Sequence, residues 1–362
     1  MASTFLLYGA SGFIGSNVAR RALERGLRPI LAARDAAKLQ PLATQLGLEF
    51  RVFGVDEPKA IDRALKGVIA VLNCAGPFMH TFKPIVEGCF RTGVHYLDLT
   101  GEIPVYEALA TRDAEAKVQG VMLLPAVGFD VVPTDCLAVH LKRRLPSATR
   151  LTLAFQSAGP AGLPPGTQRT VIELIPYGNR VRHNGRLETP ERGIRTRSID
   201  FGQGAVVATR LTWGDVFTAF FSTSISNIET YAVLPVALRR QMAVFDYLRP
   251  LFKLAVARSF LKRGVKPGPT ANQCAQTVTH VWGEVKDDQG KKAVSRLHGP
   301  EAGVIWTTRA ALAAVQRVLI GNAPSGFQTP GLAYGADFVL ECDGVTREDV
   351  NLGEKSAGWC RD

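Results

Sequence analysis

Apolar positions along the first 145 residues fall into short runs separated by longer amphipathic stretches, the alternation that a parallel sheet with crossover helices requires. Candidate strands are Phe5–Tyr8, Pro29–Ala33, Glu49–Phe53, Val68–Asn73, His95–Leu99 and Val121–Leu124. Helical spacing runs between them through Ser16–Arg25, Asp35–Leu46, Pro58–Leu65, Phe82–Thr92 and Tyr106–Gln119. The rhythm changes after Pro146. Strand-like runs at Leu151–Phe155, Val206–Leu211, Val278–Val285 and Ala293–Leu297, and a hairpin about Asn184-Gly185, lack intervening crossovers. They predict a second, mostly antiparallel sheet, with helices near Thr167–Tyr177, Tyr231–Leu261 and Trp306–Leu319. The division expected for 362 residues is an α/β domain over 1–145, an inserted α+β substrate or dimerisation domain over 146–320, and a C-terminal segment 321–362 returning to the first domain.

The first apolar run ends in Gly9-Ala10-Ser11-Gly12-Phe13-Ile14-Gly15 and opens a helix. Gly9 suits the tight turn out of the strand, Gly12 the close approach of a pyrophosphate, and Gly15 close helix packing. Ser11, Phe13 and Ile14 lie on the loop and the helix N-terminus, whose N–H groups and dipole attract phosphate. Strand, loop and helix together predict a Rossmann doubly wound parallel sheet holding a dinucleotide. Past the second strand, Arg34 and Lys38 form a pair suited to a 2′-phosphate, with Asp35 available to cap the next helix. NADP (NADPH) is favoured over NAD. Asp56, after the third strand, suits either the adenine amino group or a helix cap. After the fourth strand, small residues Cys74, Ala75 and Gly76 admit the cofactor ribose, and Pro77 and Phe78 wall the nicotinamide. The alternative is a turn that needs Gly76 and Pro77 for geometry alone.

Ligands of open α/β sheets lie at the carboxyl ends of the strands. There the chain offers Tyr96, Asp98 and Glu102 after the fifth strand and Asp130 after the sixth, with Thr134 as a helix cap. These four are the candidates for substrate handling, Tyr96 as a proton donor. None of the seven tyrosines has a lysine four residues later, and no G-x-S-x-G, P-loop or H-E-x-x-H occurs. A metal site and a serine nucleophile are not expected. Hydride transfer governed by orientation remains.

Composition narrows the setting. The 46% hydrophobic and 21% charged content is that of a globular protein. Six cysteines without C-x-x-C spacing, and no targeting pattern, lead to the expectation of a reducing, cytoplasmic location. A net charge of +11 suits phosphate-bearing ligands, an anionic membrane surface or nucleic acid, but no motif supports nucleic acid. Val244–Leu261 mixes apolar and basic residues. A helix packed on its own domain is the favoured reading, and a peripheral membrane contact or lipid site the alternative. A homodimer is compatible with the sequence.

The combination Gly9-x-x-Gly12-x-x-Gly15, Ala33-Arg34, Ala75-Gly76-Pro77-Phe78, Tyr96-x-Asp98-x-x-Gly101-Glu102 and Gly128-Phe129-Asp130-x-x-Pro133-x-Asp135 resembles the saccharopine dehydrogenase-like oxidoreductases, in the branch with the mycobacterial trans-acting enoyl reductases. The tail Gly326-Phe327-Gln328-Thr329-Pro330 to Phe338-Val339-Leu340-Glu341 is also similar. The resemblance implies NADP on Gly9, Gly12, Gly15 and Arg34, and an inserted substrate domain with a mixed sheet. It leaves several chemistries open. Reduction of a C=C (enoyl) bond in a hydrophobic, carrier-borne or lipid-like substrate leads. A saccharopine-type imine reductase or amine dehydrogenase, and a non-catalytic NADP(H) sensor, are the alternatives.

Overall fold

The structure, a computed structural model, describes residues 4–190 and 193–351; Cys360 and the end of the 321–362 segment lie outside them. The chain begins with β1 (Phe5–Tyr8), α1 (Phe13–Glu24), β2 (Ile30–Ala33), α2 (Ala36–Leu46), β3 (Phe50–Val52), α3 (Pro58–Ala64) and β4 (Ala70–Asn73). It continues with α4 (Phe82–Thr92), β5 (His95–Asp98), α5 (Ile103–Ala110), α6 (Asp113–Val118), β6 (Met122–Leu124) and α7 (Val132–Arg144). Strands β1, β2, β4, β5 and β6 are buried along their whole length or nearly so, as unbroken apolar runs covered by helices on both faces should be. The helix expected over Tyr106–Gln119 is two, because Arg112 leaves helical geometry at φ −96°, ψ 9°.

The second half supplies β7 (Arg150–Ala158), α8 (Pro165–Leu174), β8 (Val181–His183), β9 (Arg186–Glu188), β10 (Thr196–Asp200), β11 (Ala205–Arg210), α9 (Asp215–Thr223) and β12 (Asn227–Ala232). Then follow α10 (Val236–Tyr247), α11 (Ala255–Lys262), α12 (Ala271–Ala275), β13 (Val278–Lys286), β14 (Lys292–Pro300), α13 (Thr307–Leu319), β15 (Gly326–Phe327), α14 (Pro330–Tyr334) and β16 (Thr346–Val350). Tyr231, expected in a helix, lies in β12, beside β7 in the sheet.

The first sheet has the order β15-β6-β5-β4-β1-β2-β3 and every neighbour is parallel. The order in which strands are added reverses between β1 and β4, which creates the crevice at which ligands of such sheets bind. The second sheet runs β10-β11-β12-β7-β13-β14-β16, with the β8–β9 hairpin joining at β12. It is mixed: β12 and β7 are parallel and the other pairs antiparallel.

Helix α7 joins the layers. Its Leu137 and Leu141 lie on β13 where Gly283 leaves space, since a Cβ there would stand 2.5 Å from Leu141 and 3.1 Å from Leu137. One continuous core therefore runs from Leu7 and Leu72 of the first sheet to Val281 and Leu297 of the second. Two expectations about segment boundaries change. Helix α13 falls within 146–320 yet packs on α1 and β4, which its buried face of Ala310, Ala311, Ala313 and Ala314 permits. The C-terminal segment divides: β15 extends the first sheet and β16 the second.

Candidate active site

The glycine loop is built as a phosphate cradle. Gly9 sits at φ +82°, and a Cβ there would stand 2.8 Å from the Ala75 backbone nitrogen, so the loop lies directly against the turn after β4. Gly15 packs its Cα on the Gly9 carbonyl with no room for a side chain. Gly12 is exposed and stands at the N-terminus of α1, which has neither a side-chain cap nor an acid in its first turn. The N–H groups of Phe13 and Ile14 have no helical acceptor there. An uncapped helix end behind a glycine turn fits a dinucleotide pyrophosphate. The Phe13 ring is engaged elsewhere, with Gly268 pressed against it.

At the adenosine end, Arg34 is exposed and makes no ion pair among the described residues. Lys38 is committed differently from the expected clamp: its Nζ lies 3.4 Å from Asp35 Oδ2, and its N–H donates to Asp35 Oδ1 at 3.3 Å. Asp35 is thus the cap of α2, which leaves Arg34 as the candidate for a 2′-phosphate. Asp56 is exposed, folded against Gly54, and does not cap α3, whose N-cap is Glu57. Arg34 and Asp56 both act electrostatically on Tyr8, whose phenol is pushed up first by burial. They border one edge of the crevice.

The turn after β4 is held rigidly. Asn73 Oδ1 accepts from Ala75 N–H at 3.0 Å, Asn73 Nδ2 donates to Thr81 and Tyr96, and Thr81 Oγ1 donates to Ala75 O at 2.8 Å. The polar ending of this buried strand was the only sequence signal for Asn73. Burial pushes the Cys74 thiol up, so Cys74 is a small neutral wall beside Ala75, Gly76 and Pro77.

Three of the four substrate candidates belong to the scaffold. Tyr96 is wholly buried and donates to Asp98 Oδ2 at 2.8 Å, and burial pushes its phenol well up. That corrects its expected role as a proton donor. Asp98, also buried, accepts from Thr100 N–H and Ala126 N–H at 2.9 Å each, tying β5 to β6. Burial raises its carboxyl to about 7 against those hydrogen bonds. Glu102 accepts from Phe78 N–H and Met79 N–H at 2.8 Å each, fixing the turn that carries Pro77. Both acids position loops.

Asp130 differs. It is half-buried, its carboxylate has no hydrogen-bond partner among the described residues, and burial, with Glu102 second, pushes its carboxyl up to about 7. Gly101 lies directly beneath it, with Oδ2 2.5 Å from where a Cβ would be. Around it stand groups the sequence reading did not assemble. Tyr106, whose Oη donates to Thr100 O at 2.6 Å, feels the Asp130 charge. Asp215 accepts from Thr134 Oγ1 at 2.7 Å, and burial holds its carboxyl well up. Thr134 itself lies inside α7, not at its cap. Next to Asp130, Phe129 packs against Phe155 at 5.7 Å and Trp306 at 5.4 Å, and Phe155 against Trp213 at 4.5 Å. The result is a half-buried acid in the loop between β6 and α7, next in sequence to a member of an aromatic cluster.

A cavity of about 890 Å³ lies elsewhere, under the β8–β9 hairpin. Its arginines are occupied: Arg195 and Arg210 pair with Glu229, and Arg182 donates to the Val216 and Gly185 carbonyls. The crevice at the strand ends is therefore the candidate site. Among the described residues no group of three or more His, Cys, Asp or Glu side chains is arranged to hold a metal.

Residues 5–124 match the family model described as the saccharopine dehydrogenase NADP binding domain. The chain is 25% identical over 414 residues to a saccharopine dehydrogenase-like oxidoreductase of Homo sapiens, covering 93% of this chain and 94% of that protein. It is 31% identical over 148 residues to a trans-acting enoyl reductase of Mycobacterium leprae (strain TN), covering 39% of this chain and 35% of that protein. Among solved structures, apo histidine-tagged saccharopine dehydrogenase (L-Glu forming) from Saccharomyces cerevisiae aligns with a TM-score of 0.64 at 14% identity, over 96% of this chain and 100% of that one. At that identity the likeness is one of fold.

Proposed function

Because the chain is a saccharopine dehydrogenase-like, NAD(P)-dependent oxidoreductase, we propose that it uses NADPH to reduce an activated C=C bond in a hydrophobic substrate. The observation that carries this reading is Asp130. It is a carboxyl raised to about 7, half-buried and next in sequence to Phe129, which packs on Phe155 and through it on Trp213. NADPH, when bound, supplies the hydride to one carbon of the double bond and leaves as NADP⁺. Asp130 gives the proton to the other carbon, so that one hydride and one proton add across the bond, and solvent reprotonates the carboxylate. The acid is poised because its ordinary carboxyl value is lifted to the operating range. Asn73, Thr81 and Glu102 hold the turn against which the nicotinamide would lie. Arg34 would pair with a 2′-phosphate, which favours NADP over NAD.

NADPH consumption followed with long-chain enoyl thioesters tests the proposal. Turnover is expected, and Asp130→Asn should lower kcat by about 10²- to 10⁴-fold, the range for a lost general acid. Turnover of amino acid plus keto acid with no enoyl activity would replace this reading with the imine one. Tight NADPH binding with no turnover on either panel would make the protein a cofactor-binding sensor.

A further inference from the structure

Helix α11 has an inverted polarity. Arg258 and Lys262, one turn apart, point inward to Glu173 of α8, which is only 8% exposed. Arg258 Nε donates to Glu173 Oε2 at 2.9 Å, its Nη1 donates to the Phe252 and Lys253 carbonyls, and Lys262 Nζ donates to Glu173 Oε1. On the opposite side Val256 is 82% exposed and Phe260 69% exposed. A helix facing water arranges these the other way round, apolar side in and charges out. Leu254, Leu251, Tyr247 and Val244, earlier in the same segment, are exposed as well. Phe252 is not part of it, being buried against Phe245 with ring centroids 5.2 Å apart.

The charge around this surface identifies what covers it. Residues 236–266 contain eight Lys and Arg against one acid, Asp246. Glu173 offsets one of the two inward charges of Arg258 and Lys262, and Arg240, Lys253, Arg263 and Lys266 are exposed along the same segment with no ion pair among the described residues. A second copy of the chain docked face to face would bring these like charges together, which costs affinity. Exposed apolar side chains interspersed with such cations match an anionic lipid surface, into whose headgroup boundary such a helix sinks without crossing. No helix among the described residues is long and apolar enough to span a bilayer. We propose that the α10–α11 face docks peripherally on an anionic membrane, Val256 and Phe260 inserting and Lys253 and Arg263 contacting headgroups.

Flotation of the full chain with vesicles of equal parts phosphatidylglycerol and phosphatidylcholine, against phosphatidylcholine alone, tests this. The protein is expected to float with the anionic vesicles and to dissociate as salt rises from about 0.1 M to about 1 M, over which the screening length falls from about 10 Å to about 3 Å. Lys253→Ala should lower the partition about fivefold, and Phe260→Ser by tens of fold. Both side chains are exposed, so thermal midpoint and NADPH binding should not change. Absence of flotation by the wild-type chain, or flotation unaffected by Phe260→Ser combined with Val256→Ser, overturns the proposal. A wild-type dimer that those two substitutions split, without flotation, assigns the face to a second copy instead.

Discussion

Asp130 rests on Gly101 so closely that a Cβ at 101 would stand 2.5 Å from Oδ2 and 3.2 Å from the carboxyl carbon. The glycine is thus part of how the acid is aimed. Gly101→Ala should push the carboxyl aside while leaving the glycine loop at Gly9–Gly15 intact. A displacement of about 1 Å at a reacting group costs on the order of 100-fold in rate. Steady-state kinetics should show that fall in kcat with NADPH affinity unchanged. An unaltered kcat would remove Asp130 from the chemistry.

The same carboxyl sets a pH dependence of stability. Its folded value is about 7, above the roughly 3.9 of an unfolded aspartate. Between those values the folded chain holds a proton that the unfolded chain has lost, so stability falls as pH rises through this window, and the loss is complete above about 7. Asp130→Asn should flatten part of that slope and raise the melting temperature at pH 8 by a few degrees, with little change at pH 4. Asp98, raised to about 7 by its own burial, retains the remaining slope. A melting temperature equally affected at both pH values would contradict the assignment.

How far the sequence leads depends on whether a residue's job is local. The glycine loop and Arg34 are legible because strand, turn and helix N-terminus are contiguous, and β1, β2, β4, β5 and β6 follow from apolar runs that only a doubly covered sheet buries. Tyr96 and Asp98 read as site residues because alternation puts them on one face of β5. That alternation does not show whether the face meets a ligand or a neighbouring loop. Here Ala126 N–H, from the end of β6, fills the position. The groups around Asp130 were invisible for another reason. Asp215 acts on Asp130, and Trp213 and Trp306 join the cluster of Phe155 and Phe129, over separations in sequence that no local pattern encodes. β12 was missed because Asn-Ile-Glu-Thr-Tyr-Ala lacks strict alternation, and its pairing with β7 determines its conformation.

Tyr96 gives the contrasting test. Its hydroxyl donates to Asp98 and accepts from Asn73 Nδ2 at 3.2 Å, so Tyr96→Phe removes two buried hydrogen bonds with no loss of ring packing. Leaving those partners unsatisfied should cost about 1–3 kcal/mol in urea unfolding. Because the phenol has no exposure, kcat should stay within about twofold of wild type. A collapse of kcat without loss of stability would restore Tyr96 as a proton donor.

Arg34 gives the test of cofactor choice. It is exposed just beyond β2, no carboxylate pairs with it among the described residues, and its neighbour Lys38 is drawn to Asp35, so Arg34 is the guanidinium placed to engage a 2′-phosphate. A hydrogen bond to a charged group contributes about 1.5–3 kcal/mol, which corresponds to about 10- to 100-fold in affinity. Arg34→Ala should weaken NADPH binding by that factor and leave NADH binding nearly unchanged, read by titration of the purified chain with each cofactor. Lys38→Ala should have a smaller effect, because it removes a side chain already drawn toward Asp35 and frees the Asp35 carboxylate to oppose the phosphate. Equal losses for NADPH and NADH in Arg34→Ala would mean that the arginine supports the loop and not the phosphate, and the preference for NADP would then have to come from another group along the β2–β3 edge.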